Sequence, residues 1–320
     1  MSGAGKGVLT VAVVGAGLMG HGIAQVFAVH GHSVRITDAA AGVLATVRDR
    51  IAVNLIDLGE NPAAVERVLP CALLADAVEG ADYVVEAAAE NLDAKQALFA
   101  SIEAAAPSHA ILASNTSVIP ITSIMSGLRD RSRCLGTHWW NPPHLVPLVE
   151  VIGTEWTRPE VVAWTLDLHR ALGKTVIHVK RDIPGFIGNR LQAALWREAI
   201  ALVEHGICDA ADVDVVVKAS FGRRLAVLGP LENADLIGTD LTLAIHQTIM
   251  PAIDARSDPS PYLSRIVAEG RLGMKAGQGF KNWTPDEADS VRQALTQHLK
   301  AARERDDPGD PGTGQTDRSG

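Results

Sequence analysis

The chain has 320 residues, of which 47% are hydrophobic and 21% charged, and its formal net charge is −8. That length suggests two domains. The apolar content excludes a wholly disordered chain, and an acidic balance without any basic cluster gives no footprint for nucleic acid. Cys71, Cys134 and Cys208 lie far apart and form neither a CxxC pair nor a disulfide framework, which points to a reducing, cytoplasmic setting; no metal site is read from the sequence.

Residues 7–34 carry no Asp, Glu, Lys or Arg, so a hydropathy window would flag them as membrane-spanning. A spanning helix needs about 20 mostly apolar residues, and here Gly15, Gly17, Gly20, His21, Gln25 and His30 interrupt the run. A secretory signal fits no better, because residues 8–14 lead straight into a glycine-rich turn rather than a cleavage site. A buried strand followed by a buried helix explains the composition, and no membrane partner is expected.

Up to Arg181, short β-branched runs alternate with longer helical stretches. Strands are predicted at 9–14, 33–37, 82–86, 110–113, 134–138, 148–152 and 175–179, and helices at 20–30, 42–58, 92–105 and 158–172. Several strands are apolar on both faces, as in a parallel sheet covered by helices. The alternation implies an α/β chain with an N-terminal Rossmann-type, doubly wound sheet. Beyond Pro184 and Gly185 the pattern turns helical, with helices predicted at 186–204, 211–220, 234–250 and 262–269 and no convincing strand. The expected organisation is a dinucleotide-binding domain at 1–183, an all-helical domain at 184–302 and a disordered tail at 303–320.

GAGLMG, comprising Gly15, Ala16, Gly17, Leu18, Met19 and Gly20, fits GxGxxG between a predicted strand and a predicted helix. Gly15 would allow the tight turn, Gly17 the approach of a pyrophosphate, and Gly20 the packing of helix on strand. The helix start offers free amides and a positive dipole end to phosphates. Asp38 ends the second predicted strand, where a carboxylate bonds ribose hydroxyls, and the three alanines after it offer no cation for a 2′-phosphate. The pattern favours NAD over NADP, although the motif alone also accommodates FAD.

Of the eleven histidines, His138 stands out because it ends an apolar strand, the edge at which open α/β sheets place ligands. The rigid segment Trp139-Trp140-Asn141-Pro142-Pro143-His144 then leads to a strand containing Glu150, and such a reversal can bring Glu150 back beside His138. A neutral imidazole suits the removal of an alcohol proton, and a carboxylate on its other nitrogen would fix the tautomer. On pattern alone, a core histidine and a surface glutamate fit equally well. Ser117 follows another strand end, and Asn189 lies near the start of the long helix; both fit turn or helix capping as readily as a site.

Together these segments resemble the L-3-hydroxyacyl-CoA dehydrogenase family. The matching pieces are GAGLMG, ENLDAK from Glu90 to Lys95, SNTS from Ser114 to Ser117, GTHWWNPPHLVPLVEVI, PGFIGNR and KAGQGF around Lys275. The resemblance implies an NAD-binding domain followed by a helical domain that typically makes a homodimer. It implies His138 as general base, Glu150 as its orienting partner, and Ser117 and Asn189 as hydrogen-bond partners of the reacting oxygen. Glu90, Lys95, Ser117, Asn141 and Lys275 match positions that lie along the cofactor, as do Gly15, Gly17, Leu18, Met19, Gly20 and Asp38, and FAD is disfavoured.

The chain also departs from the family. The segment after the second strand is usually rich in lysines that meet the phosphates of coenzyme A, whereas here Arg48, Arg50 and Arg67 are the only cations between Asp38 and Ala94. Trp139-Trp140 replaces the usual Phe-Phe, and NPPHLVPLVEV resembles relatives acting on small acids without coenzyme A, such as gulonate, carnitine or pyridine-derived substrates. The expectation is an NAD-dependent oxidoreductase interconverting a short-chain L-3-hydroxyacyl-CoA and its 3-oxo form. The alternatives are a dehydrogenase of a small, CoA-free hydroxy acid, alcohol or aldehyde, and a non-catalytic, crystallin-like NAD-binding protein.

Overall fold

The computed structural model describes residues 7–306. Its single large sheet is built from β1 (Thr10–Val14), β2 (Ser33–Thr37), β3 (Val68–Pro70), β4 (Tyr83–Glu86), β5 (Ile111–Ser114), β6 (Cys134–Trp139), β7 (Leu148–Ile152) and β8 (Thr175–Val179). Their order is β3-β2-β1-β4-β5-β6-β7-β8. Every neighbouring pair is parallel except β6 and β7, which run antiparallel. This is the doubly wound fold the alternating pattern implied. The edge strand β3 escaped the sequence reading because it has three residues and ends in a proline.

The helices of this part are α1 (Leu18–Val29), α2 (Ala41–Ala45), α3 (Val47–Asp57), α4 (Leu74–Val78), α5 (Leu92–Ala105), α6 (Ile121–Met125) and α7 (Pro159–Ala171). The stretch read as one helix from 42 to 58 breaks at Thr46. Alternate strand residues face opposite sides: Val11, Val13 and Leu135 pack with α1, α3 and α7, whereas Ala12, Val14 and Cys134 pack with α4, α5 and α6. Burial on both faces is why the strands are apolar at nearly every position.

The rest of the chain is helical: α8 (Gly188–Glu204), α9 (Ala210–Ala219), α10 (Pro230–Ile237), α11 (Thr239–Ile249), α12 (Pro261–Ala268) and α13 (Pro285–Asp306). The stretch predicted as one helix from 234 to 250 is divided at Gly238, whose φ of 100° no helix accommodates. Two compact units result, Leu191–Leu295 and a sheet-containing unit that runs to Arg190 and resumes at Thr296. The tail expected from Arg303 is still helical to Asp306, and residues 307–320 lie outside the described part. Among the described residues, no helix is long and apolar enough to cross a membrane.

One core group gives the sheet unit a pH dependence. His169, on α7, has no exposed surface; its Nδ1 lies 2.8 Å from Thr165 O, and its Nε2 is buried with no hydrogen-bond partner among the described residues. Burial pushes the imidazole down to about 4, although the Thr165 carbonyl opposes this. Between that value and the unfolded value of 6.5, the unfolded chain binds the extra proton, so stability falls with pH across this window. Going from about pH 7 to about pH 5, urea denaturation should register a loss of about 2 kcal/mol attributable to this ring. In His169→Leu that part of the acid slope should vanish, and an unchanged slope would remove His169 as its source.

Candidate active site

The turn after β1 sorts its three glycines by physical role. Gly15 has a φ of 107°, and a Cβ there would stand 2.6 Å from Ala87 O. At Gly20 a Cβ would lie 1.7 Å from Gly15 O, so the turn and the helix meet without side chains. At Gly17 a Cβ would meet no atom within 4 Å, so nothing in the chain's own packing demands glycine there. Gly17 is also the N-cap of α1 with no side-chain cap, which leaves the first-turn amides at Leu18 and Met19 to receive an anion. Asp38 is locked at the end of β2: Ala16 N donates to its Oδ2 at 2.7 Å and Ala40 N to its Oδ1 at 2.8 Å. An open cradle, an uncapped helix start and a fixed carboxylate one strand away suit a dinucleotide with a free ribose diol.

On the opposite side of β1 the strand ends carry a buried ionic network. Glu86 has no exposed surface, Lys95 Nζ reaches its Oε1 at 2.6 Å, and Ser114 Oγ donates to its Oε2 at 2.6 Å. Lys95, 1% exposed, also lies 3.5 Å from Glu90 Oε2. Glu90 Oε1 in turn accepts from Thr116 Oγ1 at 2.5 Å, Ser117 N at 2.9 Å and Val118 N at 3.1 Å. Burial pushes the Glu90 carboxyl upward, but these donors and Lys95 together bring it below its ordinary range. Lys95 is thus turned into the interior and bears on the strand-end turn through Glu90. Glu86 was not singled out in the sequence, though an acid closing the buried strand YVVE was a visible signal.

The antiparallel pairing of β6 and β7 sets His138 directly opposite Glu150. Their side chains share the α4–α6 face, and His138 Nδ1 lies 2.7 Å from Glu150 Oε2. The pair is almost wholly buried, His138 being 3% and Glu150 1% exposed. Glu150 Oε1 accepts from Ile187 N at 2.9 Å and Gly188 N at 3.1 Å, where α8 begins. Burial pushes Glu150 up, yet hydrogen bonds from His138, Gly188 and Ile187 outweigh it and hold the carboxyl below its ordinary value. An ionised carboxylate only accepts, so Nδ1 must carry the hydrogen, and Nε2 is left as the ring's free lone pair. The His138 ring neighbours Trp140, with centroids 5.3 Å apart, and Phe186, at 5.7 Å.

Ser117 and Asn189 are also brought together, since Asn189 Nδ2 donates to Ser117 O at 2.8 Å. Ser117 is exposed, Asn189 is half-buried, and Asn141 is exposed in the connection after β6. Lys275 sits in the short turn Met274–Ala276 of the helical unit. Asn115 entered the sequence reading only as part of the SNTS stretch, with no role of its own; its Oδ1 accepts from Trp139 N at 2.9 Å and ties the end of β5 to that of β6.

The glycine geometry separates binding from folding. Gly17→Ala should leave thermal stability near that of the parent and weaken NADH binding by about tenfold or more, as followed by fluorescence titration. Gly20→Ala should instead lower the melting temperature. Equal effects of the two substitutions on stability would contradict this division of roles.

Comparison with known proteins agrees with this geometry. The sequence profile of the 3-hydroxyacyl-CoA dehydrogenase NAD-binding domain matches residues 10–183, and that of the family's C-terminal domain matches residues 185–283. The chain is 33% identical over 301 residues to 5-formyl-3-hydroxy-2-methylpyridine 4-carboxylate 5-dehydrogenase of Mesorhizobium japonicum, covering 92% of this chain and 97% of that protein. A solved structure of such a 5-dehydrogenase, described as an NAD+ dependent dismutase, is similar with a TM-score of 0.88 at 32% identity, covering 94% and 99% of the two chains. Human mitochondrial hydroxyacyl-coenzyme A dehydrogenase is 38% identical over 287 residues, covering 84% of this chain and 90% of that one. The structure of M. tuberculosis FadB2 is similar with a TM-score of 0.73 at 31% identity, covering 87% and 100%. The chain therefore belongs to the 3-hydroxyacyl-CoA dehydrogenase family of NAD-dependent oxidoreductases.

Proposed function

We propose that this dehydrogenase oxidises and reduces a small, CoA-free hydroxy acid or hydroxy-aldehyde, with His138 as its acid–base residue and Glu150 orienting it. The observation that carries the choice of substrate is how the segment after β2 uses its charges. Where the resemblance leads one to expect lysines for the phosphates of coenzyme A, Arg50 Nη2 is bonded inward to Ala16 O at 2.7 Å and Val43 O at 2.8 Å. Arg67 reaches Ala28 O at 3.4 Å. The acids between these two arginines, Asp57 and Glu60, are met by the chain's own Lys300 and Arg303. Arg48 and Arg67 are the two exposed cations of the segment, which is little attraction for a polyphosphate. The indole of Trp140 beside His138 suits a small or planar substrate, and the likeness to the pyridine-carboxylate dehydrogenase supports the same class.

NAD, when bound, supplies the hydride acceptor. As the substrate's C–H leaves with its electron pair, the hydroxyl proton passes to His138 Nε2, and in reduction it returns. The imidazolium formed is stabilised by Glu150, which the two amides of Ile187 and Gly188 keep ionised. The Ser117 hydroxyl and the second N–H of Asn189 are the donors proposed for the reacting oxygen. Glu90 and Lys95 hold the turn that carries Ser117, and Asn141 and Lys275 remain proposed cofactor contacts. A homodimer through the helical unit is part of this reading, supported by the apolar side chains exposed on α9, α10 and α11, such as Val215, Leu231, Leu236 and Leu243.

The second reading, a short-chain 3-hydroxyacyl-CoA substrate, draws on the 38% identity to the human enzyme. A non-catalytic role is disfavoured by the intact His138–Glu150 pair. NADH oxidation should be measured with acetoacetate, with a hydroxyaryl aldehyde carboxylate and with acetoacetyl-CoA. The free acids should give the higher kcat/KM, and His138→Gln should lower turnover by about a hundredfold or more with NADH affinity little changed. A preference for acetoacetyl-CoA would overturn the CoA-free reading, and unchanged turnover would remove His138 from the mechanism.

A further inference from the structure

The connection from β6 to β7, residues 140–147, contains Pro142, Pro143 and Pro147, none of which has an N–H. It is therefore short of donors for its own carbonyls. Leu145 N and Val146 N both bond Pro142 O, at 3.0 and 2.9 Å. The carbonyls of Pro143 and Val146 accept instead from a side chain on another element: Lys174 Nζ reaches Pro143 O at 2.5 Å and Val146 O at 3.1 Å. The same ammonium lies 5.1 Å from the ring centroid of Trp139, so its three N–H directions are used by two carbonyls and one indole face. No carboxylate pairs with it among the described residues.

The backbone fixes where Lys174 emerges. Gly173, with a φ of 69°, ends α7; its N bonds Arg170 O at 2.9 Å, and Lys174 N bonds His169 O at 3.1 Å. That closing pattern aims residue 174 across the helix end. The connection is also seated on α1, where a side chain at Gly22 would collide with Pro143. Its first residue, Trp140, lies against the His138 ring.

We infer that Lys174 is a positioning residue, whose half-buried ammonium holds the 140–147 connection in place and through it keeps Trp140 against His138. A partly buried charge without a counter-ion carries a desolvation cost, and here it supplies the donors that three prolines withhold. Burial pushes Lys174 down to about 8, with Arg303 acting in the same direction and Glu60 against it. The other groups facing it are His144 from the connection and His169 from α7, both held near 4 by burial, and His30 of α1 on the same cleft. Losing the proton leaves two N–H groups for three directions and replaces charge-assisted bonds with weaker neutral ones. The pin loosens as pH rises through about 8.

The catalytic meaning of this pin rests on His138 being the base, but the test needs no substrate, so the two ideas fail separately. Amide hydrogen exchange at Leu145 and Val146, corrected for intrinsic rates, and the His138 ring-proton shift that the Trp140 ring current sets are followed against pH with NADH present. In the parent, protection should fall by about tenfold and the shift should move as pH rises through about 8. Lys174→Met should show the loosened values at every pH. Lys174→Arg, which stays charged, should keep protection without the alkaline change. Lys174→Met matching the parent throughout, or Lys174→Arg sharing its alkaline change, would overturn the inference. Should the Met variant not fold, the comparison of the parent with Lys174→Arg decides alone.

Discussion

A carboxylate almost completely removed from water must find donors for its charge, and Glu150 finds three: the imidazole of His138 and the amides of Ile187 and Gly188. Much of the site follows from meeting that requirement. The reversal of β7 against β6, in a sheet otherwise parallel between neighbours, provides the cross-strand pair that sets acid opposite imidazole. The start of α8 supplies amides that no earlier helical turn has used. Since both oxygens of Glu150 are committed as acceptors, the hydrogen on His138 belongs on Nδ1, and Nε2 keeps the ring's free lone pair.

The strand-end edge of the sheet is thereby divided into regions held by different physics. Around Gly15–Gly20 and Asp38 the chain keeps side chains away and presents backbone amides and one carboxylate, as a dinucleotide requires. Around Ser117 it relies on the buried Glu86–Lys95–Glu90 chain, whose last member collects two backbone amides and a hydroxyl. Removing Lys95 would leave the buried Glu86 charge uncompensated, and this chain of charges fixes the turn that carries Ser117. The connection after β6 has neither amides to spare nor acids, and an ammonium from α7's end holds it instead.

What could be read from the sequence was what is encoded locally. The strand, glycine turn, helix and Asp38 were legible because each is a short-range pattern with its own steric reason. His138 and Glu150 were legible as strand positions, and their contact was an open possibility that the antiparallel register made real. Less legible were elements whose identity depends on distant partners. β3 is defined by pairing with β2, the break at Gly238 by a backbone angle, and the last turns of α13 by packing that returns to the sheet unit. Lys174 reads as an ordinary surface lysine until its ammonium is seen against carbonyls some thirty residues earlier. Lys95 reads as a cofactor contact by resemblance, while its surroundings in the fold are two glutamates.

The central claim is that Glu150 fixes the His138 tautomer and frees Nε2 to move the proton. Nitrogen NMR of the histidine-labelled, NADH-bound protein tests it most directly, with His138 in its uncharged form. The expected spectrum shows a protonated Nδ1 and a bare Nε2, and Glu150→Gln should allow the other tautomer to appear. A proton resident on Nε2 in the parent protein would contradict the account, because the base would then lack the lone pair that the mechanism requires.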